Sequence, residues 1–148
     1  MSSRHPIGYI DIRASAHATE DTDKVLKALC NTLPAELVQT VTFRKTSLAG
    51  HHGNPITLLE TRIKDRNAAQ KTLEKLSSGL GIMDKEVLNS DILQHLEKGN
   101  LYLRLDKQAA YLNELRLGQT DPIHLRIHFK KNRPEEVIEI CRGLGLLP

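Results

Sequence analysis

The chain has 148 residues, 39% of them hydrophobic and 26% charged, with a formal net charge of +3 and a pI near 8.9. That mix is ordinary for a soluble globular protein, the length suits one domain spanning residues 1–148, and no apolar run approaches the ~18 residues a membrane span requires. The mild basicity permits a nucleic-acid partner without demanding one, so the placement of the charges decides. Met1-Ser2-Ser3-Arg4-His5-Pro6 lacks the apolar stretch of a signal peptide, so a cytoplasmic location is expected. In that reducing compartment Cys30 and Cys141, each inside an amphipathic helical pattern, are expected as buried free thiols.

From Ile7 to Thr19 the residues alternate, with Ile10, Ile12, Ala14 and Ala16 on one face and Tyr9, Asp11, Arg13, Ser15 and His17 on the other. This is a first strand. Thr19-Glu20-Asp21-Thr22-Asp23 offers capping side chains for a helix carrying Val25, Leu26, Leu29 and Leu33, which ends near Pro34. Gln39–Thr46 reads as a second strand, Val41 and Phe43 opposing Thr40, Thr42 and Arg44. Ser47 through Pro55, with Gly50, His51, His52, Gly53 and Asn54, has the chemistry of a long hairpin connection, and Ile56–Lys64 resumes as an antiparallel partner strand. There Leu59 and Ile63 face one way, Glu60, Arg62 and Lys64 the other.

Asp65–Leu80 is helical by pattern, its stripe formed by Ala69, Leu73, Leu76 and Leu80. Asp84 is a candidate cap for a further helix with the stripe Leu88, Ile92 and Leu96, closed by Lys98-Gly99. Asn100 to Leu112 then runs from strand into helix: Leu101, Leu103 and Leu105 alternate with Tyr102 and Arg104, and Asp106 has the position of an N-cap. After the turn at Leu117–Pro122, Ile123, Leu125, Ile127 and Phe129 alternate with His124, Arg126, His128 and Lys130. Pro134 opens a last helix with Glu135 and Glu136 in its first turn and Val137, Ile138, Cys141 and Leu144 inside. The order β-α-β-β-α-α-β-α-β-α describes an α+β domain in which helices cover one face of a mainly antiparallel sheet.

The opposite, wet face of that sheet is where function is expected. It collects Tyr9, Arg13, His17, Arg44, Arg62, Lys64, Tyr102, Arg104, His124, Arg126, His128 and Lys130, against the acids Asp11, Glu60 and Asp106. Basic side chains with scattered rings suit RNA, Arg and Lys meeting phosphates while bases stack on the rings. The competing explanation is that an exposed sheet face is polar simply to resist aggregation. His51 and His52 are adjacent, so their side chains diverge, and His124 and His128 stand about 13 Å apart along one strand; no metal site is expected. The glycines form no Walker or dinucleotide fingerprint, so no cofactor is implied, and no spacing brings Glu60, Asp65 and Asp106 together as catalytic carboxylates.

Three segments carry a family resemblance: His17-Ala18-Thr19-Glu20-Asp21, Gly53-Asn54-Pro55-Ile56 and Tyr102-Leu103-Arg104-Leu105-Asp106-Lys107-Gln108-Ala109-Ala110-Tyr111. Together they resemble an archaeal family of small proteins described as RNA-binding or as predicted exosome subunits, whose fold is similar to that of the ribosomal protein that binds 5S RNA. The resemblance implies RNA binding and a link to RNA processing, degradation or the ribosome, without catalytic residues. It makes Arg104 and Lys107 expected phosphate contacts and Tyr102 or Tyr111 expected stacking partners. His51 departs from the aromatic residue expected before the Gly-Asn-Pro turn. A second expectation from the same residues is a subunit that docks on an RNA-processing assembly through protein contacts.

Overall fold

Six strands form the sheet, and those in which apolar and polar side chains alternate turn their inner faces to one core. In the computed structural model, which describes residues 6–50 and 53–148, they are β1 (Ile7–His17), β2 (Arg44–Ala49), β3 (Pro55–Ile63), β4 (Leu96–Glu97), β5 (Asn100–Leu105) and β6 (Ile123–Phe129). They form one open sheet in the order β2-β3-β1-β6-β5-β4, antiparallel throughout. The helices are α1 (Thr22–Cys30), α2 (Arg66–Gly79), α3 (Ile82–Ser90), α4 (Lys107–Tyr111) and α5 (Pro134–Gly143). Ile10, Ile12, Leu59, Leu103, Leu125 and Ile127 from the sheet meet Leu29, Leu73, Leu76, Val137 and Cys141 from the helices in one buried cluster. The α+β class and the one-sided sheet expected from the sequence are what the structure shows.

Local chemistry starts the helices where the sequence predicts. Asp21 accepts from the Asp23 N–H, Asp65 from Ala68 and Asp106 from Ala109, each a cap worth about 1 kcal/mol. The strand-to-helix junction at Asp106 is held further: its own N–H donates to the Arg116 carbonyl, and Gly118 donates to the Arg104 carbonyl. Only glycine fits at 118, because a Cβ there would stand 2.7 Å from the Asp106 Cα.

Three expected boundaries are corrected. Strand two begins at Arg44 rather than Gln39, since Thr40 and Val41 close turns onto the Leu37 carbonyl, and it continues through Ser47, Leu48 and Ala49, which pair with Thr57, Ile56 and Pro55. The hairpin is therefore tighter than expected; Gly50 donates to the Asn54 carbonyl so closely that a Cβ would collide with that oxygen and with Ile56. His51 and His52 lie outside the described residues. The third correction concerns the helix expected from Asp84 to Leu96. It starts at Ile82 with Gly81 as cap, ends at Ser90, passes through a 3-10 turn at Ile92–His95 and becomes β4. Lys98 and Gly99 both have positive φ, so they form a hairpin turn rather than a helix end. Asp84, free of capping duty, accepts the Leu117 N–H.

One irregularity shapes the functional face. Alternation would put Ile7 beside Tyr9 on the wet side, yet Ile7 is buried against Phe129, because the β1–β6 register shifts between Ile7 and Tyr9. Gly8 lies in that bulge, where a Cβ would be 3.0 Å from the His128 ring.

Candidate nucleic-acid interface

Strand register organises the wet face into rows across the sheet, because residues paired between antiparallel neighbours point to the same side. One row reads Arg44–Glu60–Arg13–His124–Arg104 from β2 to β5, and the next reads Arg62–Asp11–Arg126–Tyr102 from β3 to β5. A third contains Tyr9–His128–Asn100. Arg13, Arg62, Arg104 and Arg126 thus share a face, as the alternation predicts. Together the first two rows floor a trough of about 1040 Å³, walled at one edge by Thr42 and Lys64 and at the other by Gln94 and Glu97. Six Arg and Lys side chains line it against three carboxylates, a local excess equal to the whole chain's formal +3.

The second row is partly neutralised, one carboxylate standing between two arginines. Asp11 takes Arg62 through both oxygens, at 2.7 and 3.0 Å, and its Oδ2 also accepts from Arg126 at 2.6 Å. Burial pushes the Asp11 carboxyl up, but hydrogen bonds and charge from Arg62 and Arg126 overcome it and hold the group below its ordinary value. Arg62 also lies over the Tyr9 ring, 4.0 Å from its centroid, while His128 stacks on Tyr9 at 4.6 Å from the strand on the other side. His128 is further fixed by Asn100, 2.8 Å from its Nδ1. Tyr9 and His128 are consequently occupied with each other, whereas Tyr102 keeps 38% of its surface open at the trough.

The first row is different. Arg44 pairs with Glu60, but among the described residues neither Arg13 nor Arg104 makes an ion pair. His124 lies between them, its imidazole held below its ordinary pKa by burial first and then by the two arginines, with Asp121 pulling weakly the other way.

Three expected contacts are elsewhere. Lys107 does not reach the wet face: it is 8% exposed, and its Nζ donates to the Ser15 carbonyl at 2.8 Å, to Asp121 at 2.7 Å and to both oxygens of Glu20 at 3.2 Å. The reason is helical geometry, since the first turn after Asp106 directs position 107 back toward β1. His17 belongs to the same cluster, 3.1 Å from Asp121. His17, Glu20 and Asp121 bring ligand atoms within 4.8 Å of one another, a metal-like grouping, but the Lys107 ammonium already binds both carboxylates as the cation there. Tyr111, half-buried, packs on the core with Lys27 over its ring.

Sequence reasoning missed the Gln94–Glu97 wall, because it read that segment as helix. The signal was present in Lys98-Gly99-Asn100 between Leu96 and Leu101, which is as good a hairpin turn as a helix end.

An open antiparallel sheet backed by helices, with a cationic trough on its bare face, defines an α+β protein whose uncovered sheet surface carries an excess of positive charge. Within that class the chain belongs to the family whose model is described as RNA binding, which matches residues 9–129. RNA-binding protein PAB1135 from Pyrococcus abyssi is 39% identical over 138 residues, covering 90% of this chain and 90% of its own length. A DUF54 protein from Methanothermobacter thermautotrophicus has a solved structure that superposes with a TM-score of 0.76 at 32% identity, covering 93% of this chain and 97% of that one. Protein SSO0741 from Sulfolobus solfataricus, also of DUF54, superposes with a TM-score of 0.76 at 25% identity, covering 92% and 96%. Among the described residues no helix is long and apolar enough to cross a membrane.

Proposed function

We propose that this chain, acting as a single unit, is a non-catalytic accessory protein that binds RNA in the sheet-face trough, in the service of RNA processing or degradation with the exosome or of the ribosome. The observation that carries the reading is the coincidence of the trough's cationic excess with membership of an RNA-binding family. Arg13, Arg44, Arg62, Lys64, Arg104, His124 and Arg126 are the backbone contacts in this reading, and Tyr102 is the stacking ring. Asp11 and Glu60 are bound to arginines rather than poised over a substrate, which supports binding over catalysis.

A salt series with single-stranded RNA tests it. If about four cations meet phosphates, log affinity falls against log salt with a slope near −3, by the ~0.7 per contact of single strands. Absent or salt-independent binding overturns the reading.

One observation favours a second reading, docking on an RNA-processing assembly through protein contacts. α3 leaves Ile82, Met83 and Val87 exposed. Under that reading, partner capture survives nuclease treatment and is lost in Met83→Asp rather than in Arg104→Ala.

A further inference from the structure

RNA strands expose two kinds of phosphate. Internal diesters carry one negative charge each, whereas a terminal phosphomonoester carries close to two near pH 7. The trough treats its own charges unequally. Arg62 and Arg126 share Asp11, and Arg44 has Glu60. Arg13 and Arg104 have no carboxylate partner among the described residues, and they flank His124 on consecutive strands β1, β6 and β5. At a strand spacing of about 4.8 Å the two arginines rise from backbones roughly 10 Å apart, close enough for both guanidinium groups to close on one phosphate above the imidazole.

We infer that Arg13, His124 and Arg104 form a site for the terminal phosphate of an RNA strand, with Tyr102 stacking the adjoining base. This rests on the RNA-binding reading and narrows it. Tyr102 is two residues from Arg104 on the same face of β5, about 7 Å along the strand, within the span of one nucleotide from phosphate to base. The rest of the strand follows the trough over Arg126, Arg62 and Lys64.

The surroundings explain why an end, rather than a passing backbone, belongs there. Beyond the row, on the side away from Tyr102, Asp106 follows Arg104 on β5, and Asp121 and Glu20 close the ends of β6 and β1. On β2 and β3 the face turns to Thr46, Leu48, Ile56 and Leu58 in the same direction. A polyanion continuing past the arginines would meet on one side a cluster in which Glu20, Asp121 and Asp106 outnumber the Lys107 ammonium, and on the other apolar side chains.

The test uses the intact chain and fluorescence anisotropy with one short RNA sequence in four forms: 5′-phosphate, 3′-phosphate, both ends hydroxyl, and a circularised strand without ends. The expected result is that one terminal phosphate tightens binding about tenfold or more over the hydroxyl and circular forms, the scale of a charge-assisted contact. Which arm gains identifies the end. Arg13→Ala and Arg104→Ala abolish that preference, so that the phosphorylated form of each variant binds no better than its hydroxyl and circular forms, and inorganic phosphate competes more strongly with the phosphorylated form than with the others. Both arginines are exposed, and an unchanged thermal midpoint verifies that the variants fold. Equal affinity for all four forms, or a preference that survives both substitutions, overturns the inference while leaving RNA binding intact. Failure to bind any form overturns the underlying reading as well.

Discussion

Arg104 and Lys107 lie three residues apart in one segment and end in opposite environments. Arg104 is the last outward side chain of β5, exposed and without a carboxylate partner among the described residues. Lys107 opens α4, almost fully buried, with its ammonium held by the Ser15 carbonyl, Glu20 and Asp121. What separates them is Asp106, whose cap turns the chain from a two-residue to a helical period between one cation and the next. A positive charge in a motif is thus either available to a ligand or spent on the fold, according to which side of a cap it falls.

Substitution of Lys107 breaks this comparison most directly. In Lys107→Met two carboxylates lose their cation, and because Glu20 and Asp121 retain some exposure the cost falls below that of a fully buried pair, about 2–3 kcal/mol. Chemical denaturation measures it; a stability unchanged within about 0.5 kcal/mol, the scale of an ordinary surface change, would mean that the cluster holds nothing together. RNA affinity of the folded variant, and its salt slope, stay as in the parent.

Next in size is Tyr102→Leu, which removes a stacking surface from the trough and is expected to weaken single-stranded RNA binding by about 1–3 kcal/mol with an unaltered salt slope. Arg104→Ala sharpens the contrast from the other side. It leaves stability within about 0.5 kcal/mol while lowering affinity and flattening the log-log slope by ~0.7, one phosphate contact on a single strand. Charge and stacking are therefore separable on neighbouring residues of β5, and identical slopes for the two variants would show that they are not.

The same segment shows how far the sequence alone could be followed. Leu101, Leu103 and Leu105 define a strand with one buried face, and an aspartate followed by Ala109 and Ala110 defines a helix start, so β5, the cap at Asp106 and the outward position of Arg104 were all legible. The burial of Lys107 was not, because its partners lie 87 and 14 residues away at Glu20 and Asp121. Asp11 follows the same logic: alternation reveals its face, but only the registers of β3 and β6 against β1 reveal that it binds Arg62 and Arg126. β4 escaped for a different reason. Two residues are too short for a period, and Leu88, Ile92 and Leu96 satisfy a helical stripe although only Leu88 is α-helical.

The smallest expected effect comes from His124 and has opposite signs in the free and bound protein. Burial, Arg13 and Arg104 hold its folded pKa below the ordinary 6.5, with Asp121 opposing them. A base whose pKa is depressed by folding binds fewer protons folded than unfolded, so stability is full above about pH 6.5 and declines as pH falls toward the lower folded value. Asp11 and Asp121, held below the ordinary carboxylate value of 3.8, lose their contributions as pH falls below that value, so the decline that begins near pH 6.5 is not theirs. Phosphate between Arg13 and Arg104 offsets the repulsion that keeps the imidazole neutral and favours its protonation. Binding of hydroxyl-ended RNA should therefore take up a proton and tighten as pH falls below about 6.5, while the free protein's thermal midpoint drops over the same interval. His124→Gln should flatten both dependences, and paired titrations of affinity and midpoint read them. Parallel rather than opposed trends in the parent protein would place the RNA phosphates away from the Arg13–His124–Arg104 row.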